Sequence, residues 1–378
     1  MPIGLYLHVP FCLKKCKYCD FVSYPYDAGL AASYVSALKR EMALYRSRLQ
    51  EGQKNLKSIY IGGGTPTTLP ADQLAELCVA VRSNFVWTDG IEVTVEANPG
   101  TVDGSKLSAL RKAGVNRISF GVQAAQEELL TFLGRLHGWR QVEEAVTLAR
   151  GAGFDNISID LIYGIPGQRL RDWRETLAKA VGLGANHISA YNLKIEPDTP
   201  LHRDVTSGYV VPCDEDLEVE MMYYTVDYLR EQGFRHYEIS NFARPGYEAR
   251  HNLLYWQNEE YLGLGPAAHS CLDGVRFANL PDLRRYITAV DGGQTPVETQ
   301  EVLTARDRLV EGMFLGLRLM EGVDLRQFTE IYGADPRVLF RESLDKLQKL
   351  ELACILDDRL KLTRKGLPLA NEVFAEFV

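Results

Sequence analysis

Apolar, β-branched runs of strand length alternate with longer amphipathic stretches through the first half of the chain. The strand-like runs are Gly4–Val9, Ser58–Ile61, Ile91–Glu96, Arg117–Gly121, Ile157–Tyr163 and His187–Lys194. Between them lie Ala31–Leu49, Ala71–Asn84, Gly104–Ala113, Arg140–Gly151 and Leu170–Leu183, each with helical periodicity. In Ala71–Asn84, the positions Leu74, Leu77, Cys78 and Val81 predict a buried stripe facing a sheet. Alternating strands and helices imply a parallel sheet with right-handed crossovers. Six such units fit an incomplete barrel or a doubly wound sheet.

The unusual residues favour the barrel. Cysteines follow the first strand, glycines the second, Glu96 the third and Gln123 the fourth, and Asp160 lies on the fifth. A barrel-type active site draws on the C-terminal ends of many successive strands. The expected fold is therefore α/β, a (β/α)6 partial TIM barrel.

After Lys194 the pattern loosens at Pro197, Pro200, Gly208 and Pro212. A helix over Asp214–Gln232 is predicted to stop at Gly233. Residues 235–300 read as a connecting segment, and residues 301–378 as helices, a short hairpin near Ala353–Leu362 and a last helix. That order resembles a winged-helix-like module. The expected domains are 1–234, 235–300 and 301–378. With 14 acidic and 12 basic residues, the last domain reads as a lid or packing element and not as a DNA binder.

Composition adds exclusions. The chain is 46% hydrophobic and 24% charged, ordinary for a globular protein. No apolar run approaches the roughly 20 residues of a membrane span. The start, Met1-Pro2-Ile3-Gly4-Leu5-Tyr6, lacks a signal-peptide pattern, so a cytoplasmic location is expected. A net charge of −8 argues against a general nucleic-acid binder, although Arg40–Lys57 is locally basic. Of seven cysteines, three cluster near the N-terminus. Cys78, Cys213, Cys271 and Cys354 are scattered and are expected to be small buried hydrophobes.

Cys12, Cys16 and Cys19 form a C-x3-C-x2-C triplet after the first strand. Three thiolates can hold three irons of a cubane and leave the fourth open to a small chelator. Lys14, Lys15 and Lys17 are placed to favour thiolates. Zinc is the alternative, but it would require a fourth protein ligand, and no second half-site is evident. After the second strand comes Gly62-Gly63-Gly64-Thr65-Pro66-Thr67, which frees backbone for close approach to a ligand or simply makes a turn.

Together these motifs resemble the radical SAM superfamily. The surrounding text narrows the resemblance: Tyr6–Cys12, Glu96-Ala97-Asn98-Pro99, Phe120-Gly121-Val122-Gln123, Leu133-Gly134-Arg135 and Asp160–Gln168 are similar to the family of oxygen-independent coproporphyrinogen III oxidase and its heme-chaperone relatives, over essentially the whole chain. The resemblance implies a [4Fe–4S] cluster on Cys12, Cys16 and Cys19, with S-adenosylmethionine (SAM) on the open iron. It implies that Tyr6 and Tyr18 flank SAM, and that Gly63, Gly64 and Thr65 offer backbone groups to its methionine end. Arg135 would take the carboxylate, Glu96 and Asp160 the ribose hydroxyls or amine, and Gln123 a nearby polar contact.

The decarboxylating oxidase resembles C-x3-C-x2-C-x-C, whereas here Phe21 stands at the fourth cysteine position. The short N-terminus agrees with the heme-chaperone branch. So does His251-Asn252-Leu253-Leu254-Tyr255-Trp256, which matches that branch's HNxxYW pattern. By that resemblance His251 is a candidate heme ligand; the plain alternative is a core histidine satisfied by its neighbours. His8 is expected to pack beside the cluster, and His269 is a secondary heme candidate. The implied partners are heme and acceptor hemoproteins, with peripheral contact to membrane hemoproteins and a homodimer both allowed. Oxidative decarboxylation of coproporphyrinogen III is the competing reading.

Overall fold

In the computed structural model, which describes residues 1–378, six parallel strands run where the apolar segments predict them. They are β1 (Ile3–Val9), β2 (Asn55–Gly63), β3 (Val86–Ala97), β4 (Arg117–Gln123), β5 (Asn156–Tyr163) and β6 (His187–Asn192). The returning helices are α1 (Ala28–Arg48), α2 (Ala71–Asn84), α3 (Gly104–Ala113), α4 (Glu127–Leu133), α5 (Trp139–Gly151) and α6 (Leu170–Gly182). Strands β1 to β6 pair in sequence order, all parallel. Because β6 and β1 do not pair, this is the (β/α)6 partial barrel that the motif positions imply.

Local signals explain the elements. Asp27 caps α1 by accepting from Leu30 N at 2.8 Å, the preferred chemistry for an orphan N–H. The α2 stripe is buried as predicted at Leu74, Leu77, Cys78 and Val81. Truncating such a leucine to alanine costs about 2–5 kcal/mol through lost contact and the cavity left behind. Of the scattered cysteines only Cys78 is buried; Cys213, Cys271 and Cys354 are part-exposed, contrary to expectation, because they lie near element ends or on edge strands.

Beyond β6 come α7 (Pro200–Thr206) and α8 (Glu215–Glu231), the latter capped by Asp214 and stopped before Gly233. Residues 235–300 do more than connect. Strands β7 (Arg235–Glu238) and β8 (Asn241–Ala243) extend the sheet beyond β6, β8 antiparallel to it. Helix α9 (Arg250–Trp256) follows. Then β9 (Tyr261–Leu264) joins β1 in parallel, and β10 (His269–Leu272), β11 (Val275–Asn279) and β12 (Val297–Val302) complete a 12-stranded sheet. Helix α10 (Leu283–Asp291) covers α1.

The last domain has its own core of 13 buried residues, separate from the 58-residue barrel core. Its helices precede the hairpin Ala353–Leu356/Arg359–Leu362, to which Val323–Asp324 adds a third strand. It docks through Arg364, which grips Asp227 of α8 with two bonds of 2.8 and 2.7 Å. It also docks through Arg318, whose guanidinium lies 4.2 Å from the Trp256 ring centre. The basic stretch near residue 40 is largely neutralised: Arg40 pairs with Asp291, Lys54 with Glu51 and Lys57 with Glu259.

Candidate functional site

The loop carrying the cysteines is held by its backbone. Tyr26 N donates to Cys12 O at 3.0 Å, Lys17 N to Leu133 O at 3.1 Å and Leu201 N to Lys17 O at 2.9 Å. The buried His8 ring sits 2.9 Å from Val22 O, which ties the far end of the loop to β1.

Cys12, Cys16 and Cys19 are free thiols on the wall of a cavity of about 460 Å³ at the C-terminal ends of the strands. Cys12 Sγ lies 3.7 Å from Thr65 Oγ1. Burial pushes the Cys12 thiol up, against the hydrogen bond from Thr65, and pushes Cys19 to about 11, against the Phe21 backbone and Lys15. At Cys12 and Cys19 burial favours the protonated thiol, and metal binding displaces that proton. The three thiols do not converge on one ion-sized point. A cubane needs no such point, because each cysteine binds a different iron.

The glycine turn is built for packing as well as for a ligand. A Cβ on Gly62 would lie 2.9 Å from the Glu96 carboxyl carbon, and one on Gly64 2.7 Å from Phe11 O. Gly63 has a φ of +109°, open to glycine at little cost. The amides are already engaged: Gly63 N donates to Glu96 Oε2 (3.1 Å), Gly64 N to Val9 O (2.9 Å) and Thr65 N to Phe11 O (2.7 Å). What the turn can offer a ligand is carbonyl oxygen, which suits an ammonium and not a carboxylate.

Glu96 enters the cavity from β3, with Tyr60 Oη donating to it at 2.8 Å. Burial raises its carboxyl to about 7, with Asp160 adding to the rise. Asp160 is also raised by burial, although Ser119 (2.9 and 3.1 Å), Ser158 (3.4 Å) and Ser189 (2.7 Å) donate to it. Arg135 reaches back from beyond α4, its Nη1 3.4 Å from Cys16 Sγ and its Nη2 on Gly121 O, while Nε is buried without a partner. Gln123 lines the cavity with a φ of 72° at an irregularity in the β4–β5 pairing, a strained backbone of the kind that clusters at ligand sites.

Tyr18, Gly63, Gly64, Thr65, Glu96, Gln123, Arg135 and Asp160 thus share one cavity. Tyr6 does not: its hydroxyl is spent on His8 Nδ1 at 3.1 Å and its ring packs beneath the site, 6.2 Å from that of Tyr60. Asn98, within the Glu96–Pro99 motif, also lines the cavity, as do Ser119 and Tyr191, which no sequence signal marks.

The structure places His251 away from the cavity. Only 1% exposed, it sits at the N-terminal ends of the strands. Nδ1 meets Ser58 Oγ at 2.8 Å and Nε2 meets Tyr255 Oη at 2.9 Å. This arrangement leaves no ring nitrogen free for a heme iron. His269 is exposed at the start of β10, an interior strand of the sheet, and does not line the cavity.

Comparison with known proteins agrees with this architecture. Residues 6–180 match the model of the radical SAM superfamily, and residues 303–369 that of the HemN C-terminal domain. The chain is 38% identical over 374 residues to the heme chaperone HemW of Bacillus subtilis, spanning 99% of this chain and 98% of that one. It is 33% identical to the heme chaperone HemW of Escherichia coli, spanning 100% and 98%. Among solved structures, coproporphyrinogen III oxidase (HemN) from Escherichia coli, described as a radical SAM enzyme, superposes with a TM-score of 0.86 at 25% identity, covering 100% of this chain and 90% of that one.

Proposed function

The chain belongs to the heme chaperone HemW family of the radical SAM superfamily, and from that premise we propose that it holds a [4Fe–4S] cluster on Cys12, Cys16 and Cys19, binds SAM beside it, and carries heme to acceptor hemoproteins. The observation that carries the reading is the full-length similarity to heme chaperones together with Phe21, 60% exposed at the cavity wall, where the oxidase pattern wants a fourth cysteine.

The cavity suits the cofactors the family implies. When bound, the cluster and SAM supply one-electron cleavage of the sulfonium. The chain's own residues bind and orient. Arg135, with a buried unpartnered Nε, would take the SAM carboxylate, since a guanidinium matches carboxylate geometry. Glu96 and the carbonyls of the glycine turn would hold the ammonium, and Tyr18 would shield the cluster side from water.

Heme is cargo in this reading. Leu13, Phe21 and Leu136 expose apolar surface at the cavity mouth beside Lys14, Lys15 and Lys194. Apolar side chains ringed by cations match an apolar macrocycle bearing carboxylates. The reading keeps the protein in the cytoplasm and allows a homodimer; no helix is long and apolar enough to cross a membrane.

The runner-up, oxidative decarboxylation of coproporphyrinogen III, is favoured by the overall likeness to HemN. Anaerobic reconstitution followed by two assays separates them. Saturable heme binding without vinyl product from coproporphyrinogen III is expected; vinyl product with no heme binding would reverse the choice.

A further inference from the structure

Helix α9 is keyed into the floor of the barrel. The backbone N–H groups of Arg250 and His251 each donate to Glu92 at 3.1 Å, and Ala249 N donates to Tyr237 Oη at 3.2 Å. Gly4 on β1 makes room: a Cβ there would lie 2.7 Å from Leu254 Cδ1 and 3.4 Å from the His251 ring. Both His251 nitrogens are satisfied, in either tautomer, because the Ser58 and Tyr255 hydroxyls can each donate or accept.

The remaining feature of the imidazole is its face. It stacks on Tyr60, with ring centres 5.3 Å apart and planes 28° from parallel. Tyr60 Oη in turn donates to Glu96 Oε1 at 2.8 Å, inside the SAM-site cavity. Gly62 leaves room for both: a Cβ there would lie 2.9 Å from Tyr60 Cε1 and 2.9 Å from the Glu96 carboxyl carbon. Moving the imidazole would free the Tyr60 ring, and with it one of the two hydrogen bonds that hold Glu96.

We propose that His251 is a positioning residue for Glu96, acting through Tyr60, and not a heme ligand. The inference rests on the SAM site proposed above and deepens it. It gives the histidine of the HNxxYW segment a role as a packing plate beneath the cofactor. Burial, and then Arg117, lower the imidazole to about 3, so it stays neutral, as a stacking plate should.

The test uses the full chain with its cluster reconstituted. SAM affinity is read at pH 6 and pH 8 by equilibrium binding, heme by absorbance titration, and folding by Tm. His251→Ala is expected to weaken SAM by about tenfold at pH 8, the scale of one charge-assisted hydrogen bond. His251→Phe, which keeps an aromatic plate, is expected to restore most of that loss. Neither should change the heme spectrum or stoichiometry. Tyr60→Phe should weaken SAM like His251→Ala, and the double variant should be no worse than either single one, because the two act in series.

Loss of heme binding or a shifted heme spectrum in His251→Phe, with SAM affinity intact, would overturn the proposal. Additive losses in the double variant, or a His251→Ala variant with unchanged SAM affinity, would also overturn it. If His251→Ala fails to fold, the comparison of His251→Phe with Tyr60→Phe decides alone. A wild-type chain that binds no SAM overturns the underlying site as well, whereas intact wild-type binding with indifferent variants overturns only the positioning role.

Discussion

Arg135 Nη1 lies 3.4 Å from Cys16 Sγ, across 119 residues of sequence. The cation stands beside one thiol of the triplet while its own Nε remains unpartnered in a buried position. Arg135→Ala should therefore weaken SAM by about ten- to hundredfold, the range for a lost charge-assisted hydrogen bond to a buried ion. Arg135→Lys should recover little, because an ammonium cannot reproduce the planar fork. Equilibrium binding to the reconstituted protein checks this, with iron content expected to change less than SAM affinity.

Glu96 predicts a pH dependence. Burial raises its carboxyl from 4.5 to about 7, so the fold favours the neutral acid. Its contribution to stability is full below the ordinary value and fades as pH rises through 7. Binding of the cationic end of SAM runs the opposite way, since only the ionised carboxylate attracts it. SAM affinity should rise by up to about tenfold between pH 6 and pH 8, and Glu96→Gln should be weak and flat over the same range.

Gly64 is a packing requirement. A Cβ would lie 2.7 Å from Phe11 O and 2.9 Å from Phe11 N, both backbone atoms of the strand end that enters the cysteine loop. Gly64→Ala should cost about 1–3 kcal/mol by overpacking. Chemical denaturation of the metal-free protein measures the cost, and iron retention should fall in parallel.

Trp256 joins the barrel to the last domain. Arg318 stacks on its indole at 4.2 Å. The Arg364–Asp227 pair is half-exposed, and pairs of that kind contribute only about 0–1 kcal/mol. Trp256→Ala should loosen the C-terminal domain more than Arg364→Ala does, and limited proteolysis should cut near residue 303 faster in the first variant than in the second.

The sequence foretold the barrel because each central strand is a near-continuous apolar run and each helix has a stripe such as Leu74, Leu77 and Val81. It foretold the cavity because cysteines, glycines and carboxylates at strand ends converge once strands β1 to β6 lie parallel. The sheet edges were not legible. Tyr261 pairs with Gly4, a register that no local pattern announces, and β7 and β8 are too short to stand out. Nor could spacing show that the amides of Gly63, Gly64 and Thr65 are already used, or that Ser58 and Tyr255 occupy both nitrogens of His251. Hydrogen-bond saturation depends on partners far along the chain, and a motif names only one side of the bond.

Heme transfer tests the central claim most directly. The reconstituted chain, loaded with heme and freed of excess, is mixed with an apo-hemoprotein, and the acceptor's absorbance is followed. The account predicts saturable loading and movement of heme to the acceptor faster than from heme bound to albumin. A chain that takes up no heme, or holds it without passing it on while converting coproporphyrinogen III to vinyl product, would contradict it.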